Sequence, residues 1–211
     1  MKKKITIVDY GLGNIVSAQQ SFLKVAQEIN LQAEVVISNS PNDVLESSHI
    51  VLPGQGAFKS CIDGLKSIVG MVDALEKSVL VNKKPFLGIC VGMQLLAEFG
   101  FENGKHQGLG WIKGSIKRID VDNLKLPHMG WNNIKVINNF YQMKFSSENK
   151  DFYFVHSYFF ECLDDKNIIG ITNYGLDFPS IVGKENIYGV QFHPEKSSNQ
   201  GLELIKNFIS L

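Results

Sequence analysis

Short apolar runs and helix-spaced apolar positions alternate along the first half of the chain. Ile5-Thr6-Ile7-Val8 has the continuous hydrophobicity of a buried strand. Ile15, Ala18, Phe22, Val25, Ala26 and Ile29 then recur at helical spacing on a segment that begins near Asn14. Glu34–Ile37 and His49–Leu52 predict two more strands, the latter closed by Pro53-Gly54. Val72, Leu75 and Val79 predict a second long helix, and Pro85–Ile89 a fourth strand. Strands alternating with helices imply βαβ units and a parallel sheet covered on both faces. The second half changes character. Trp111–Ile119, Asn132–Val136, Phe152–Phe160, Ile168–Thr172, Pro179–Val182 and Ile187–Phe192 are strand-like with few helical intervals. Asn138-Asn139 and Lys184-Glu185-Asn186 are turn signals between them. A last helix, Asn199–Leu211, presents Leu202, Ile205, Phe208 and Ile209 to the core. The fold class predicted is α/β: a mixed, mostly parallel central sheet flanked by helices, with an antiparallel extension. Residues 1–211 are expected to form a single domain.

Charge and cysteine content narrow the chemistry. Lys plus Arg equals Asp plus Glu at 21 each, so there is no bulk field to attract nucleic acid. The lead Met1-Lys2-Lys3-Lys4 is followed by too few apolar residues for a secretory signal, and no run approaches membrane-spanning length. A cytoplasmic location is the expectation. The three cysteines, Cys61, Cys90 and Cys162, fit neither metal-ligand nor redox spacing. Cys61 and Cys162 are expected as small core or helix residues. No metal and no cofactor is expected.

Cys90 differs through its neighbours. Gly88-Ile89-Cys90-Val91-Gly92 follows a strand-like run and precedes a helix-like one, which is the layout of a nucleophile elbow carrying sulfur. Glycines relieve the crowding of so sharp a turn. A thiol needs a base, a cation or a helix start to be reactive. Of the five histidines, His193 stands out, because Glu195 follows two residues later and i, i+2 residues of an extended segment share a side. His49 is expected as a strand-end residue and His106 as a loop residue. His128 and His156, beside strand-like runs, are lesser candidates for the base. Gly11-Leu12-Gly13 could open a dinucleotide fingerprint, but position 16 is Val where the third glycine belongs.

These motifs resemble those of the class I (triad) glutamine amidotransferases. Within that class the resemblance is to the glutaminase subunits of histidine biosynthesis. It is carried by Asp9–Asn14, Leu52–Phe58, Gly88–Gln94, Gly108–Gly110, Pro127–Asn132, His156–Tyr158 and Gln191–Ser197. The resemblance implies Cys90 as nucleophile on the side-chain amide of L-glutamine, His193 as base and Glu195 as its orienting acid. It also implies an oxyanion hole from the N–H of Val91 and one from Gly54, Gln55 or Gly56. Gln94, Ser157 and Tyr158 would hold the substrate's amino and carboxylate groups. Ammonia would pass to a (β/α)8-barrel synthase in a heterodimer, with Asn14, Trp131 and Lys196 as candidate partner-facing residues. Gln55 and Val91 depart from the Val and Leu usual at those places. A related glutaminase subunit serving surface-polysaccharide synthesis, a thiol peptidase and a nucleotide-binding module are the competing readings.

Overall fold

The computed structural model describes residues 2–121, 124–138, 143 and 150–211; Asn139 of the turn signal and Met1 of the basic lead lie outside the described residues. The first half follows the expected alternation. Strand β1 (Lys3–Val8) leads to helix α1 (Ile15–Glu28), then β2 (Ala33–Ser38), α2 (Pro41–Glu46) and β3 (His49–Gly54). Helix α3 (Phe58–Ser67) and helix α4 (Met71–Glu76) precede β4 (Phe86–Cys90). Helix α5 (Val91–Gln94) is a single turn after the elbow. The remaining strands are β5 (Phe99–Gly100), β6 (His106–Gln107), β7 (Gly114–Arg118), β8 (His128–Val136), β9 (Lys150–His156), β10 (Tyr158–Cys162), β11 (Ile168–Asn173), β12 (Asp177–Lys184) and β13 (Ile187–Val190), and helix α6 (Ser198–Ile209) closes the chain.

Nine strands form the main sheet in the order β2-β1-β3-β4-β13-β12-β11-β8-β9. The pairings from β2 through β13 are parallel and those from β13 through β9 antiparallel, so a parallel half carries the expected antiparallel extension. Strands β3 and β4 are buried on both faces, as their unbroken apolar runs require. Helix α1 lays Ala18, Phe22, Val25 and Ala26 on the sheet, and its Phe22 ring meets Phe208 of α6 edge-on at 6.2 Å.

Three expectations are refined, and two helices are added. The helix marked by Val72, Leu75 and Val79 runs on past Glu76, but its coil widens over Lys77–Val81, with Asn82 N bonded to Lys77 O at 2.9 Å. No helix is expected at α2 or α3, although Phe58, Cys61, Ile62 and Leu65 repeat at helical spacing along α3; α2 has only six residues. His106 lies in the short strand β6 rather than a loop. The run Phe152–Phe160 is two strands in two sheets. Strand β9 ends at His156 on the edge of the main sheet, while β10 pairs with β7 in a second sheet ordered β10-β7-β5-β6. The chain crosses between sheets at Ser157, whose carbonyl is taken by Ile119 N at 2.9 Å. That crossing turns His156, Ser157 and Tyr158 toward the carboxyl end of β4.

Candidate active site

The elbow is built by backbone proximity. Cys90 has φ +55° and ψ −114°, a conformation a non-glycine residue adopts only when its surroundings hold it there. Strands β3 and β4 run in parallel register with Gly54 opposite Cys90. A Cβ on Gly92 would lie 1.8 Å from the Leu52 carbonyl oxygen. Only glycine lets the first turn of α5 press so close to β3, and that contact lifts the Cys90 side chain out of the sheet.

A cavity of about 300 Å³ opens beside this sulfur, at the small end of ligand sites and of a size for an amino acid. Cys90, Val91 and Gln94 form one wall, Gln55 and Gly56 a second, His156, Ser157 and Tyr158 a third, and His193 and Glu102 complete it. Gly54 lies just behind, its Cβ position 2.7 Å from Gly92 N. Eight of the expected site residues therefore share one cavity, although they come from four separate stretches of chain.

His193 and Glu195 meet, though not along extended backbone: Pro194–Lys196 is one 3-10 turn, which folds Glu195 back onto the ring. The ring Nδ1 lies 2.8 Å from Glu195 Oε1, and both side chains are at least 96% buried. Nε2 has no nitrogen or oxygen partner. Burial works against the charged ring, but the Cys90 sulfur and the Glu195 carboxylate outweigh it and raise the imidazole to about 10. The ring is thus held as a proton carrier facing the thiol.

The other histidines are held neutral. His128 and His156 are buried and hydrogen-bonded to each other at 2.9 Å; loss of solvent lowers them to about 4 and about 3. Neither ring pairs with a carboxylate, so neither fits the base. His49, also buried, is lowered to about 4 by burial and by Lys3.

The three surface candidates separate from the cavity. Trp131 is 56% exposed, beside Met129 at 62%. Its ring lies 6.2 Å from Tyr153, and Lys196 Nζ stands 5.9 Å from the centre of that same Tyr153 ring. Trp131 and Lys196 therefore belong to one exposed patch. Asn14 occupies the position before α1, in the loop after β1, with no side-chain capping hydrogen bond. No group of histidine, cysteine and carboxylate side chains among the described residues is arranged to hold a metal ion.

The family Glutamine amidotransferase class-I matches the chain over residues 7–211. The chain belongs to the class-I glutamine amidotransferases. It is 45% identical over 210 residues to the imidazole glycerol phosphate synthase subunit HisH of Pelagibacter ubique, covering 98% of this chain and 99% of that protein. The HisH subunit of Rhodospirillum rubrum is 44% identical over 209 residues, with 98% of each chain covered. Among solved structures, a glutamine amidotransferase superposes with a TM-score of 0.71 over 97% of each chain, at 16% identity, a likeness of fold.

Sequence reasoning missed two polar groups of this amidotransferase site. Glu102 lines the cavity and accepts a hydrogen bond from Phe58 N at the start of α3, at 2.7 Å. Nothing local marks it, because it stands in an irregular stretch after Gly100. Gln191 is fully buried, its Nε2 3.7 Å from the Cys90 sulfur. Its nearness to His193 was the available signal. Gln94, the implied substrate contact, could serve through either end of its amide. Both Nε2 hydrogens are taken, by Tyr158 O at 3.2 Å and Gln191 Oε1 at 3.0 Å, which leaves Oε1 as the atom able to accept from a ligand.

Proposed function

We propose that this chain is the glutaminase subunit of an imidazole glycerol phosphate synthase, releasing ammonia from L-glutamine for histidine biosynthesis. The observation that carries the reading is the Cys90 thiol and a carboxylate-oriented imidazole on one amino-acid-sized cavity, in a chain 45% identical along its length to a HisH subunit. The residues act as one domain.

Cys90 Sγ attacks the side-chain carbonyl carbon of glutamine as His193 Nε2 holds the thiol proton. The carbonyl oxygen becomes an oxyanion, received by the N–H of Val91 and by one from Gly54, Gln55 or Gly56. Fixed backbone donors suit this because they need no reorganisation as charge develops. The C–N bond breaks, the nitrogen takes the proton from His193, and ammonia leaves. Water, deprotonated by His193, then cleaves the thioester to glutamate and restores the thiol. Glu195 keeps the ring in its working tautomer and stabilises its charged form.

Glu102 is the one carboxylate on the cavity wall among the described residues and pairs with the α-ammonium of the substrate. Gln94 Oε1 adds a second acceptor. Ser157 and Tyr158 hold the α-carboxylate end. Glu102→Gln keeps an acceptor for Phe58 N but loses the charge. Steady-state assays should show KM for glutamine rising about tenfold with kcat nearly unchanged, the loss of one charged hydrogen bond. An unchanged KM would remove Glu102 from this role.

Ammonia passes to a synthase with a (β/α)8 barrel, and the two chains form a heterodimer. Trp131, Lys196 and Asn14 face that partner. The test is glutamate release by the purified chain, alone and with the synthase plus its nucleotide substrate. The expected result is a slow enzyme alone and a gain of tenfold or more on assembly. A fast chain indifferent to the synthase overturns the assignment.

A further inference from the structure

Gln191 sits between β13 and the Pro194 turn, and no step above uses it. Its amide bridges two parts of the site: Oε1 accepts from Gln94 Nε2 at 3.0 Å, and Nε2 donates to Cys90 Sγ at 3.7 Å. This orientation is forced. The second hydrogen of Gln94 Nε2 goes to the Tyr158 carbonyl, which can only accept. Were Gln191 flipped, donor would meet donor at Gln94, and a carbonyl oxygen would face the sulfur.

The Tyr158 carbonyl is fixed from its other side by a chain with equally determined roles. Asn132 Nδ2 donates to the Asn173 carbonyl at 2.9 Å, so that nitrogen is the donor end of its amide. The same Nδ2 lies 3.1 Å from His128 Nε2, which must therefore accept. His128 Nδ1 then donates to His156 Nε2 at 2.9 Å, and His156 Nδ1 donates to Tyr158 O at 2.8 Å. His128 is clamped between the rings of Phe154 and Tyr174, with centroids 4.8 and 4.1 Å away. Two backbone carbonyls thus settle every donor and acceptor from Asn132 to the sulfur.

We propose that Gln191 is a catalytic hydrogen-bond donor to the Cys90 sulfur, aimed by Gln94 and by the Tyr158 carbonyl that the His128–His156 relay holds in place. A thiolate gains more from an N–H donor than a neutral thiol does, and more inside a buried site than in water. The donor therefore shifts the Cys90–His193 pair toward thiolate and imidazolium before substrate arrives. The inference rests on Cys90 being the nucleophile.

Gln191→Met removes the donor and keeps an unbranched side chain of similar volume. The full chain is alkylated with iodoacetamide across a pH series, and modification of the Cys90 peptide is followed by mass spectrometry. Cys61 and Cys162 do not interfere, because burial pushes their thiols up to about 11 and about 12. The midpoint of Cys90 alkylation should move up by about one pH unit, with kcat/KM for glutamine at neutral pH about tenfold lower and KM within about twofold. Gln191→Asn, one methylene too short to bridge Gln94 and the sulfur, should give the same shift and serves if the Met variant does not fold. An unchanged midpoint in a folded variant overturns the proposal, as does a change in KM alone. Alkylating Cys90 in the unaltered chain must also end glutamate release. If activity survives, the nucleophile assignment fails instead, and the two failures are distinct.

Discussion

Cys90→Ala should lower glutamate release by on the order of 10⁴-fold or more while leaving the protein folded. The reason for the large kinetic effect is that the sulfur supplies a covalent step for which the site has no substitute. Water in its place would have to attack an amide without a positioned nucleophile. The small structural effect follows from geometry. Alanine keeps the Cβ at φ +55°, so the elbow holds the same conformation, and only one sulfur 4% exposed as a residue is lost. That costs about 1 kcal/mol, or about 2–4 °C in Tm for a chain of this length. His193→Ala should approach the same kinetic loss. Glu195→Gln should be milder, because the ring keeps a neutral partner at Nδ1 but loses the carboxylate that favours its charged form. A glutaminase assay beside a thermal melt decides the matter. Near-normal turnover by folded Cys90→Ala would remove the mechanism.

Acidification should unfold the protein well above the pH at which carboxylates protonate. His49, His128 and His156 are buried, and loss of solvent is the first cause that lowers them to about 4, about 4 and about 3. In the unfolded chain each ring titrates near 6.5. Below that pH the unfolded state binds protons that the native state refuses, so stability falls as pH falls. The slope reaches about 1.4 kcal/mol per pH unit for each ring, about 4 for the three together. From pH 6.5 to about 4 that amounts to at most about 10 kcal/mol, comparable to a typical stability of 5–15 kcal/mol. Asp43 behaves otherwise. Hydrogen bonds from Lys4 and Ser38 hold its carboxyl below the usual range, and its contribution is lost only below about pH 4. The window from pH 6.5 to about 4 is therefore set by histidine. Urea midpoints at half-unit steps from pH 7 to pH 4.5 should fall steeply, and His49→Gln should flatten the slope by about a third. A midpoint level from pH 7 to pH 5 would contradict the burial of these rings as neutral species.

The elements legible in the sequence share a property: their information is local. The run Ile5–Val8, the stripe Ala18, Phe22, Val25 and Ala26, and the buried strands before Pro53-Gly54 and Cys90 each carry their own periodicity. His193 and Glu195 are as close in sequence, but a 3-10 turn over Pro194–Lys196, not extended backbone, brings the carboxylate to the ring. The break at Ser157 was not legible. Phe152–Phe160 is aromatic and apolar on both sides of His156-Ser157, and composition does not say that its two ends join different sheets. Helix α3 carries a stripe of its own in Phe58, Cys61, Ile62 and Leu65, but nothing periodic marks the widening of the coil after Glu76.

The sequence by itself determined a βα-alternating half, a sulfur on a glycine-flanked turn and an imidazole with its acid, because neighbouring residues dictate turn, strand and helix geometry. Only the tertiary structure decided what stands around that sulfur. Glu102 enters the cavity wall, Gln191 turns its amide to Cys90, and Asn132, His128 and His156 line up across β8 and β9. These contacts join residues up to a hundred positions apart. Sheet order and the approach of one backbone to another fix them, and both come from packing the whole chain around one core, a cooperative outcome that no local window of residues contains.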